Sequence, residues 1–432
     1  MANKIFRTTL FETAIFFLTA FAIAAVVQAK VKPGDVIGAE NSEQVKDLVS
    51  PGVYYMVKHD MRLKIIPSDR VDWPPPYKEA TEKYSAQVRL TPNHRSLIGY
   101  VAGQPFPLID VNDPLVGTKI IWNNVFRPIQ SDDYDLRFFD CQSEYIAKGK
   151  PQRVILDLEV GHYAGYNLVG RTEVEPIPID PDYKISNRFW MFGAYPIIAP
   201  QSERGAGTIR YRYGDPNRGD DDWLWTPGSR RVRRLSEALL SSSISALSAD
   251  ADHYSGFNPK TEQYNYRFLG EKEMLACVHA AHSPEVTCPY DGGASACPED
   301  WEMRHMYVVE AAPRRETGEA PGALEQKTVL YVDSEVWFEP YVDTYDRAGQ
   351  LWRAHLYWLT YRDRPVPDAR VAIYPFKREF VVGAAAIDTQ TGYSSMCYLP
   401  GAHTPERECW YINMGAVDKQ FCTVDAMVKA AP

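Results

Sequence analysis

The sequence predicts a mainly β fold with a few helices, and three observations carry this prediction. Short runs of alternating apolar and polar residues dominate from about residue 88, and clusters of Asp, Asn, Gly and Pro separate them, as in an antiparallel meander. The 27 tyrosines and 10 tryptophans favour strands over helical bundles, and the 32 prolines favour rigid loops. A hairpin pattern at residues 220–235 is the clearest single marker of such a sheet.

The first 29 residues have the pattern of a secretory signal peptide. Lys4 and Arg7 precede an apolar run at residues 14–27, and the small residue Ala29 follows it. The run is shorter than the ~20 apolar residues of a membrane anchor. We therefore expect cleavage near Ala29 and a soluble periplasmic protein without a membrane span, and its net charge of −9 argues against nucleic acid as a partner.

The remaining elements follow in chain order. A capped apolar stripe predicts a short helix at residues 41–49 that Pro51 and Gly52 end, and residues 77–86 predict a second helix. Period-two alternation predicts a half-buried strand at residues 61–65. Further strands are expected at residues 87–90, 118–122, 134–139, 153–159, 163–174, 188–192, 208–213, 222–225, 264–269, 303–310, 328–333, 336–345 and 351–361.

Residues 220–235 resemble a basic nucleic-acid patch only when they are viewed alone. Trp223 and Trp225 fall on one face of a strand, a Pro-Gly turn follows, and Arg231 and Arg233 share one face of the returning strand. The segment therefore predicts a β-hairpin. Its arginines either border a binding site or lie on a solvated face opposite Asp221 or Asp222.

All seven cysteines follow the predicted signal peptide, where an oxidising compartment favours disulfides and an odd number leaves at least one thiol. Six of them cluster by spacing into two groups, so bridges within each group are expected among Cys277, Cys288, Cys297, Cys397, Cys409 and Cys422. An alternative is zinc bound by Cys277, His279, His282 and Cys288, but the Cys-x-x-Cys pairs of familiar structural sites are missing. We expect neither a metal nor a cofactor.

No motif of a known catalytic class appears in the sequence, and we expect no catalytic residue. Asp157 and Glu159 lie on one predicted strand face, which a glycosidase could use, although two acidic residues on a solvated face have the same pattern. Acid–base roles are also open to His253, His279, His282 and His305.

Several segments together resemble a proteobacterial family of exported proteins of unknown function. Members are often labelled outer-membrane lipoprotein-sorting proteins and placed beside the LolA/LolB carriers. The matching segments are QPFPLID at 104–110 with Asp113 and Pro114, GTKIIWN at 117–123, WLWTPGSRRVRR at 223–234, YNYRFLGEKE at 264–273, YVDSEVW at 331–337 and YDRAGQLW at 345–352.

This resemblance implies a strongly curved antiparallel sheet, a half-open LolA/LolB-like barrel with capping helices, that holds a hydrophobic molecule. We expect a carrier or binding protein for a lipid-like molecule that works with an RND-type exporter and an outer-membrane protein. Candidate aromatic residues of its cavity are Trp122, Trp223, Trp225, Tyr266, Trp337 and Trp352, and candidate rim residues are Arg231 and Arg233. Two alternatives are an exported hydrolase acting on a glycan or ester, and a non-catalytic structural subunit of an envelope complex.

The predicted domain organisation has four parts. The signal peptide at 1–29 precedes a helix and strand segment at 30–86, and the LolA/LolB-like β-domain spans 87–365 with a cysteine-bearing insertion at 277–300. An irregular cysteine-containing segment is expected at 366–432.

Overall fold

One large antiparallel sheet organises the chain. The computed structural model describes residues 31–147, 150–152, 158–235, 256–281, 299–314, 325–365, 372–398 and 410–431. The strands are β1 Val36–Ile37, β2 Leu63–Ile65, β3 Arg89–Leu90, β4 Leu97–Ile98, β5 Asp133–Ala147, β6 Lys150–Gln152, β7 Leu158–Asn167, β8 Arg188–Ala194, β9 Ile197–Ala199, β10 Gly207–Tyr213, β11 Asp221–Thr226, β12 Arg231–Arg234, β13 Tyr264–Ala276, β14 Glu299–Pro313, β15 Glu325–Asp333, β16 Tyr341–Asp346, β17 Leu351–Arg362, β18 Arg378–Asp388, β19 Tyr393–Tyr398 and β20 Trp410–Ile412.

Helices are few and short. They are α1 Pro51–Lys58, α2 Pro75–Tyr84, α3 Val116–Val125, α4 Tyr183–Ser186 and α5 Val424–Ala430, with 3₁₀ turns at Ala39–Gln44, Ser85–Gln87, Pro128–Gln130 and Thr261–Gln263. No helix among these described residues is both long enough and apolar enough to cross a membrane.

The main strands pair in the order β12-β11-β10-β8-β7-β5-β19-β18-β17-β16-β15-β14-β13, and every pair is antiparallel. The short β2 adds to β14 in parallel. Register shifts in several strands, such as those at Trp358/Leu359 and Phe268/Gly270, bend a sheet and increase its twist. The edge strands β12 and β13 do not pair with each other within the described residues, so the sheet stays open there. The predicted fold class, mainly β with a large antiparallel sheet and few helices, is confirmed.

Helices α1 and α3 cover opposite faces of the same half of the sheet. Helix α1 contacts β16 and β17, and α3 contacts β13 and β14. The neighbours Val308 and Val309 on β14 belong to the core clusters on the two different faces, as strand alternation requires. Strand β17, which α1 contacts, is buried over most of its length.

The prediction of a strand at residues 118–122 is wrong, because this segment lies inside α3. Its β-branched residues favour a strand locally, but Val116, Ile120 and Ile121 recur with helical spacing and are buried against Val309 and Leu330. Gly117 lets the helix approach β13: a Cβ at this position would lie 3.0 Å from the backbone nitrogen of Phe268. Tertiary packing therefore overrides the local propensity.

Pro51 begins a helix instead of ending one. It occupies the first turn of α1, and Ser50 is the N-cap whose Oγ accepts a hydrogen bond from the Val53 N–H at 3.1 Å. Proline fits this position because its missing N–H has no partner in a first helical turn. The predicted helix at 41–49 is replaced by the 3₁₀ turn Ala39–Gln44.

The expectation of an irregular C-terminal segment is also wrong. Strands β18 and β19 continue the sheet, β20 pairs with β5, and α5 follows. Because β18 is buried over most of its length, its sequence is apolar with little alternation and lacks a period-two signal. The other segment boundaries remain predictions, and residues 31–432 form one compact unit.

The predicted pairing of cysteines within the two groups is corrected by a bridge between Cys141 and Cys397, 256 residues apart. These residues are direct cross-strand partners on β5 and β19. Strand pairing thus sets the bridge, and sequence spacing carries no information about it. Cys277 and Cys422 are free and buried, whereas Cys288, Cys297 and Cys409 lie outside the described residues.

Candidate functional site

An apolar cavity of about 370 Å³ lies at the β12 end of the sheet. This volume falls within the range of small-molecule sites. Exposed Ser202 and Thr226 mark its mouth, and buried residues such as Val160 and Ala206 form its depth. The lining consists of Leu158, Val160, Tyr163, Trp190, Phe192, Ala194, Ile197, Ser202, Glu203, Ala206, Gly207, Thr208, Arg210, Asp222, Leu224, Thr226, Pro227, Leu235 and Asn258.

Strand alternation determines which side chains reach the cavity. On β8 the lining residues are Trp190, Phe192 and Ala194, and on β11 they are Asp222, Leu224 and Thr226, which are alternate positions and therefore share a face. Three residues from β7, including Tyr163, belong to both the lining and the main core. The cavity is thus an extension of the core, left unfilled where the sheet reaches its edge.

Three aromatic side chains give the cavity its apolar wall. The rings of Trp190 and Phe192 stack at a centroid distance of 5.5 Å, and Tyr163 contacts Phe192 edge-on at 4.6 Å. Aromatic contacts of this kind hold the rings in defined positions. The wall therefore presents an apolar surface of mutually packed rings to the cavity.

One ion pair interrupts the apolar lining. Arg210 on β10 and Asp222 on β11 are cross-strand partners, and Nε of the arginine donates to Oδ1 of the aspartate at 2.6 Å. Their side chains are only 5% and 8% exposed. Because opposite charges compensate each other at this distance, the depth of the cavity carries no net charge from this pair.

The two tryptophans of the β11–β12 hairpin face away from the cavity. Trp223 and Trp225 pack against a separate core that contains Ile209, Tyr211 and Met427 of α5, and Trp223 contacts the Tyr211 ring at 4.9 Å. The hairpin itself is confirmed. The tryptophans support the outer side of the sheet, whereas Leu224 between them lines the cavity.

Arg231 and Arg233 lie on the cavity face of β12. Arg231 pairs with Thr226 and Arg233 with Leu224, and both of these partners line the cavity. Directly paired residues of an antiparallel ladder project to the same side. The alternative arrangement, with Asp221 or Asp222 opposite these arginines, does not occur, because β12 pairs with residues 223–226.

The remaining aromatic candidates lie outside this cavity. Trp122 is on α3 and lines a second cavity of about 220 Å³ with Tyr100 and Phe126. Tyr266 donates its hydroxyl to the Thr261 carbonyl, and Trp337 is buried beneath α3. Trp352 donates from its indole nitrogen to Asp388 at 3.0 Å. The structure brings none of these four side chains to the large cavity.

Of the six candidate acid–base residues, the structure describes Glu159, His279 and His305. Asp157, His253 and His282 lie outside the described residues. Glu159 alternates with the lining residues Leu158 and Val160 and so falls on the other face of β7.

The two candidate histidines within the described residues, His279 and His305, each contact glutamate. His279 Nδ1 lies 2.6 Å from a Glu302 oxygen, and His305 lies within hydrogen-bond distance of Glu271 and Glu273. Although partial burial lowers the pKa of His305, hydrogen bonds to these glutamates raise it overall. Among the described residues no group of three or more His, Cys, Asp or Glu side chains is arranged to hold a metal ion.

Sequence reasoning missed the residues that form the aromatic wall. The segment 188–192 is predicted as a strand, and its alternation places Trp190 and Phe192 on one face. That signal marks a shared face but does not say whether the face meets a cavity or a packed core. Because of the same ambiguity, Trp223 and Trp225 were named as cavity candidates and Trp190 was not.

Comparison with known proteins places the chain in a family. A search of curated proteins finds no match. Among solved structures, a domain named for outer membrane lipoprotein sorting from Vibrio parahaemolyticus is similar with a TM-score of 0.46 and 14% identity, covering 72% of this chain and 98% of that one.

Two further structures are similar. A DUF1329 family protein from Desulfovibrio piger has a TM-score of 0.41 and 13% identity over 69% of this chain and 92% of its own. A LolA superfamily protein from Nitrosomonas europaea has a TM-score of 0.35 and 13% identity over 68% and 92%, respectively. The family described as "Protein of unknown function (DUF1329)" matches residues 36–406, and the chain therefore belongs to the DUF1329 family.

Proposed function

We propose that this protein is a non-catalytic carrier or binding protein that holds a lipid-like or other hydrophobic molecule in the cavity at the β12 end of the sheet. The observation that carries the proposal is the apolar wall formed by Tyr163, Trp190 and Phe192 beside a mouth that reaches solvent. Burial of apolar surface contributes about 25 cal/mol per Å². Affinity therefore requires no covalent step.

The energetics predict a specific dependence on ligand length. Each methylene transferred from water into the cavity contributes about 0.8 kcal/mol, which corresponds to about a fourfold gain in affinity. For a series of n-alkanols we expect affinity to rise by this factor for each carbon until the cavity is full and then to level off. An affinity independent of chain length would contradict binding in an apolar cavity.

A neutral fluorescent probe, 1-N-phenylnaphthylamine, tests the site directly. We expect its fluorescence to increase on binding, and Leu224→Gln to weaken binding about 5- to 30-fold because the amide loses hydrogen bonds to water in an apolar lining. Val232→Gln is the matched control, since Val232 is on the same hairpin but opposite Trp225, on the face away from the cavity. Equal effects of the two substitutions, or no binding by the wild type, would overturn the proposal.

The proposal extends to location and partners. A periplasmic location rests on the signal-peptide pattern of residues 1–29, and partnership with an RND-type exporter and an outer-membrane protein rests on the family resemblance. Cell fractionation followed by mass spectrometry of the N-terminus tests the first: a periplasmic protein that begins near Lys30 is expected. Lipid extraction of protein purified from that fraction should release a hydrophobic molecule, and cross-linking in intact cells should capture the two partners.

A further inference from the structure

We infer that the cargo is an amphiphile with one negatively charged head group, which Arg231 and Arg233 bind at the mouth of the cavity. This inference rests on the proposed function, because it assigns a chemical class to the same ligand. It is carried by the position of the two arginines and by the way in which neighbouring charges are compensated.

The acidic residues closest in sequence to the hairpin already have partners. Asp220 accepts from Arg212 at 2.7 and 2.9 Å, and Asp222 pairs with Arg210. Asp221 contacts Arg218 at 3.1 Å and also Arg234. The acidic triplet thus compensates four arginines, and neither Arg231 nor Arg233 is among them.

Asp221 is held in its charged form by these contacts. Although burial opposes it, hydrogen bonds from Tyr213 and Arg218 and the charge of Arg234 lower the pKa of Asp221. All four residues of β12 are exposed. Within the part of the chain that the structure describes, Arg231 and Arg233 have no ion-pair partner, so two positive charges remain on the cavity side of the hairpin.

The geometry places these charges where a head group would emerge. Arg231 is the cross-strand partner of Thr226, one of the two exposed residues that mark the mouth, and Arg233 is the partner of Leu224 just inside it. An acyl chain along the aromatic wall would therefore carry its polar end to β12. Glu203, in the turn between β9 and β10, lines the cavity on the side away from β12.

The test compares an anionic and a neutral ligand of equal chain length. Displacement of 1-N-phenylnaphthylamine by dodecanoate and by dodecanol is measured for the wild type and for the double variant Arg231→Gln/Arg233→Gln. We expect the variant to bind dodecanoate about 5- to 30-fold more weakly at low salt and to bind dodecanol as the wild type does. Added salt should reduce the difference, because exposed charges are screened.

Arg230→Gln/Arg234→Gln is the matched control. It removes two positive charges from the same hairpin, but Arg234 pairs with Trp223 on the other face and contacts Asp221. We expect this control to leave dodecanoate binding unchanged. An equal loss in both double variants would show a general effect of net charge and would overturn the inference.

Other outcomes separate the two proposals. If neither dodecanol nor the probe binds the wild type, the carrier function itself fails. If dodecanol binds and Arg231→Gln/Arg233→Gln leaves dodecanoate affinity unchanged, only the anionic head group is refuted. The inference is equally refuted if the variant loses binding to phosphatidylglycerol vesicles alone, since the arginines would then form a membrane-docking surface. Binding of lysophosphatidylglycerol distinguishes the two sources of an anionic head group. If Arg231→Gln/Arg233→Gln loses more affinity for lysophosphatidylglycerol than for dodecanoate, the ligand is a phospholipid. If it loses less, the ligand is a free fatty acid.

Discussion

A buried carboxyl group beneath α1 predicts that the protein loses stability as the pH rises. Asp343 on β16 is fully buried, and its two oxygens accept hydrogen bonds from Ser50 Oγ at 3.0 Å and from the Gly52 N–H at 3.1 Å. Burial raises its pKa to about 7, and the two hydrogen bonds oppose this rise. The folded protein thus keeps a proton that the unfolded chain, with a pKa of 3.8, releases.

Proton linkage determines whether the stability of the protein rises or falls with pH. Between the two pKa values the folded state binds more protons than the unfolded state, so stability from this group is present at low pH and is lost as the pH rises through about 7. A shift from 3.8 to about 7 corresponds to a loss of about 3 kcal/mol between about pH 5 and about pH 9. Asp343→Asn removes the ionisation and keeps an oxygen that can accept from Gly52.

Urea unfolding of the wild type and of Asp343→Asn at the two pH values measures this difference. We expect the free energy of unfolding of the wild type to fall by about 3 kcal/mol more than that of the variant. Asp133 and Glu379, whose pKa values burial raises to about 6 and about 8, are present in both proteins and cancel in the comparison. Parallel pH dependences would refute the assignment of this loss to Asp343.

Ser50→Ala provides a second variant for the same group. Its hydrogen bond lowers the pKa of Asp343, so its removal should move the pH at which stability is lost to a higher value. The N-cap is lost as well, which should destabilise α1 by about 1 kcal/mol at every pH. If Ser50→Ala lowers the free energy of unfolding equally at every pH, and the pH at which stability is lost does not change, Ser50 acts only as a cap.

Two other predictions concern the sheet. Replacement of both bridged cysteines, Cys141→Ala/Cys397→Ala, should lower the free energy of unfolding by up to about 5 kcal/mol, because the bridge closes a long loop in the unfolded chain; urea unfolding measures this, and an unchanged midpoint would contradict it. Trp225→Ala should cost roughly 2 kcal/mol of stability and leave binding of the neutral probe unchanged, whereas Trp190→Ala should weaken probe binding. A loss of probe binding in Trp225→Ala would show that the assignment of Trp225 to the outer face is wrong.

Local sequence signals predicted those elements whose structure depends mainly on neighbouring residues. The hairpin of Trp223–Arg234 formed as expected because a Pro-Gly turn and alternating side chains act within a dozen residues. Helix α2 and the strands β16 and β17 were predicted for the same reason. Where long-range packing competes, local signals failed: α3 has β-branched residues, and β18 is too uniformly apolar to show a period.

In the candidate site, too, local sequence signals predicted some features of single side chains, and long-range packing determined the others. The alternation of residues 222–226 placed Trp223 and Trp225 on one face and Leu224 on the other, but it did not say which face meets the cavity. The orientation of the hairpin depends on α5, near the C-terminal end of the chain. This helix packs against β10 and β11, and Trp223 and Trp225 pack against the same core as α5. A rim position of Arg231 and Arg233 was one of the sequence alternatives and stays a prediction, whereas strand register determines only that both residues lie on the cavity face of β12.

The sequence alone determined a mainly β fold, the hairpin and the family resemblance, because alternation, turn chemistry and short motifs are properties of neighbouring residues. Only the tertiary structure decided that Cys141 pairs with Cys397, that α3 is a helix, and that Trp190 instead of Trp225 lines the cavity. Each of these depends on contacts between segments far apart in the chain. The physical reason is that alternation along a strand determines the face on which a side chain lies. The elements packed against that face determine whether the side chain contacts a cavity or a core.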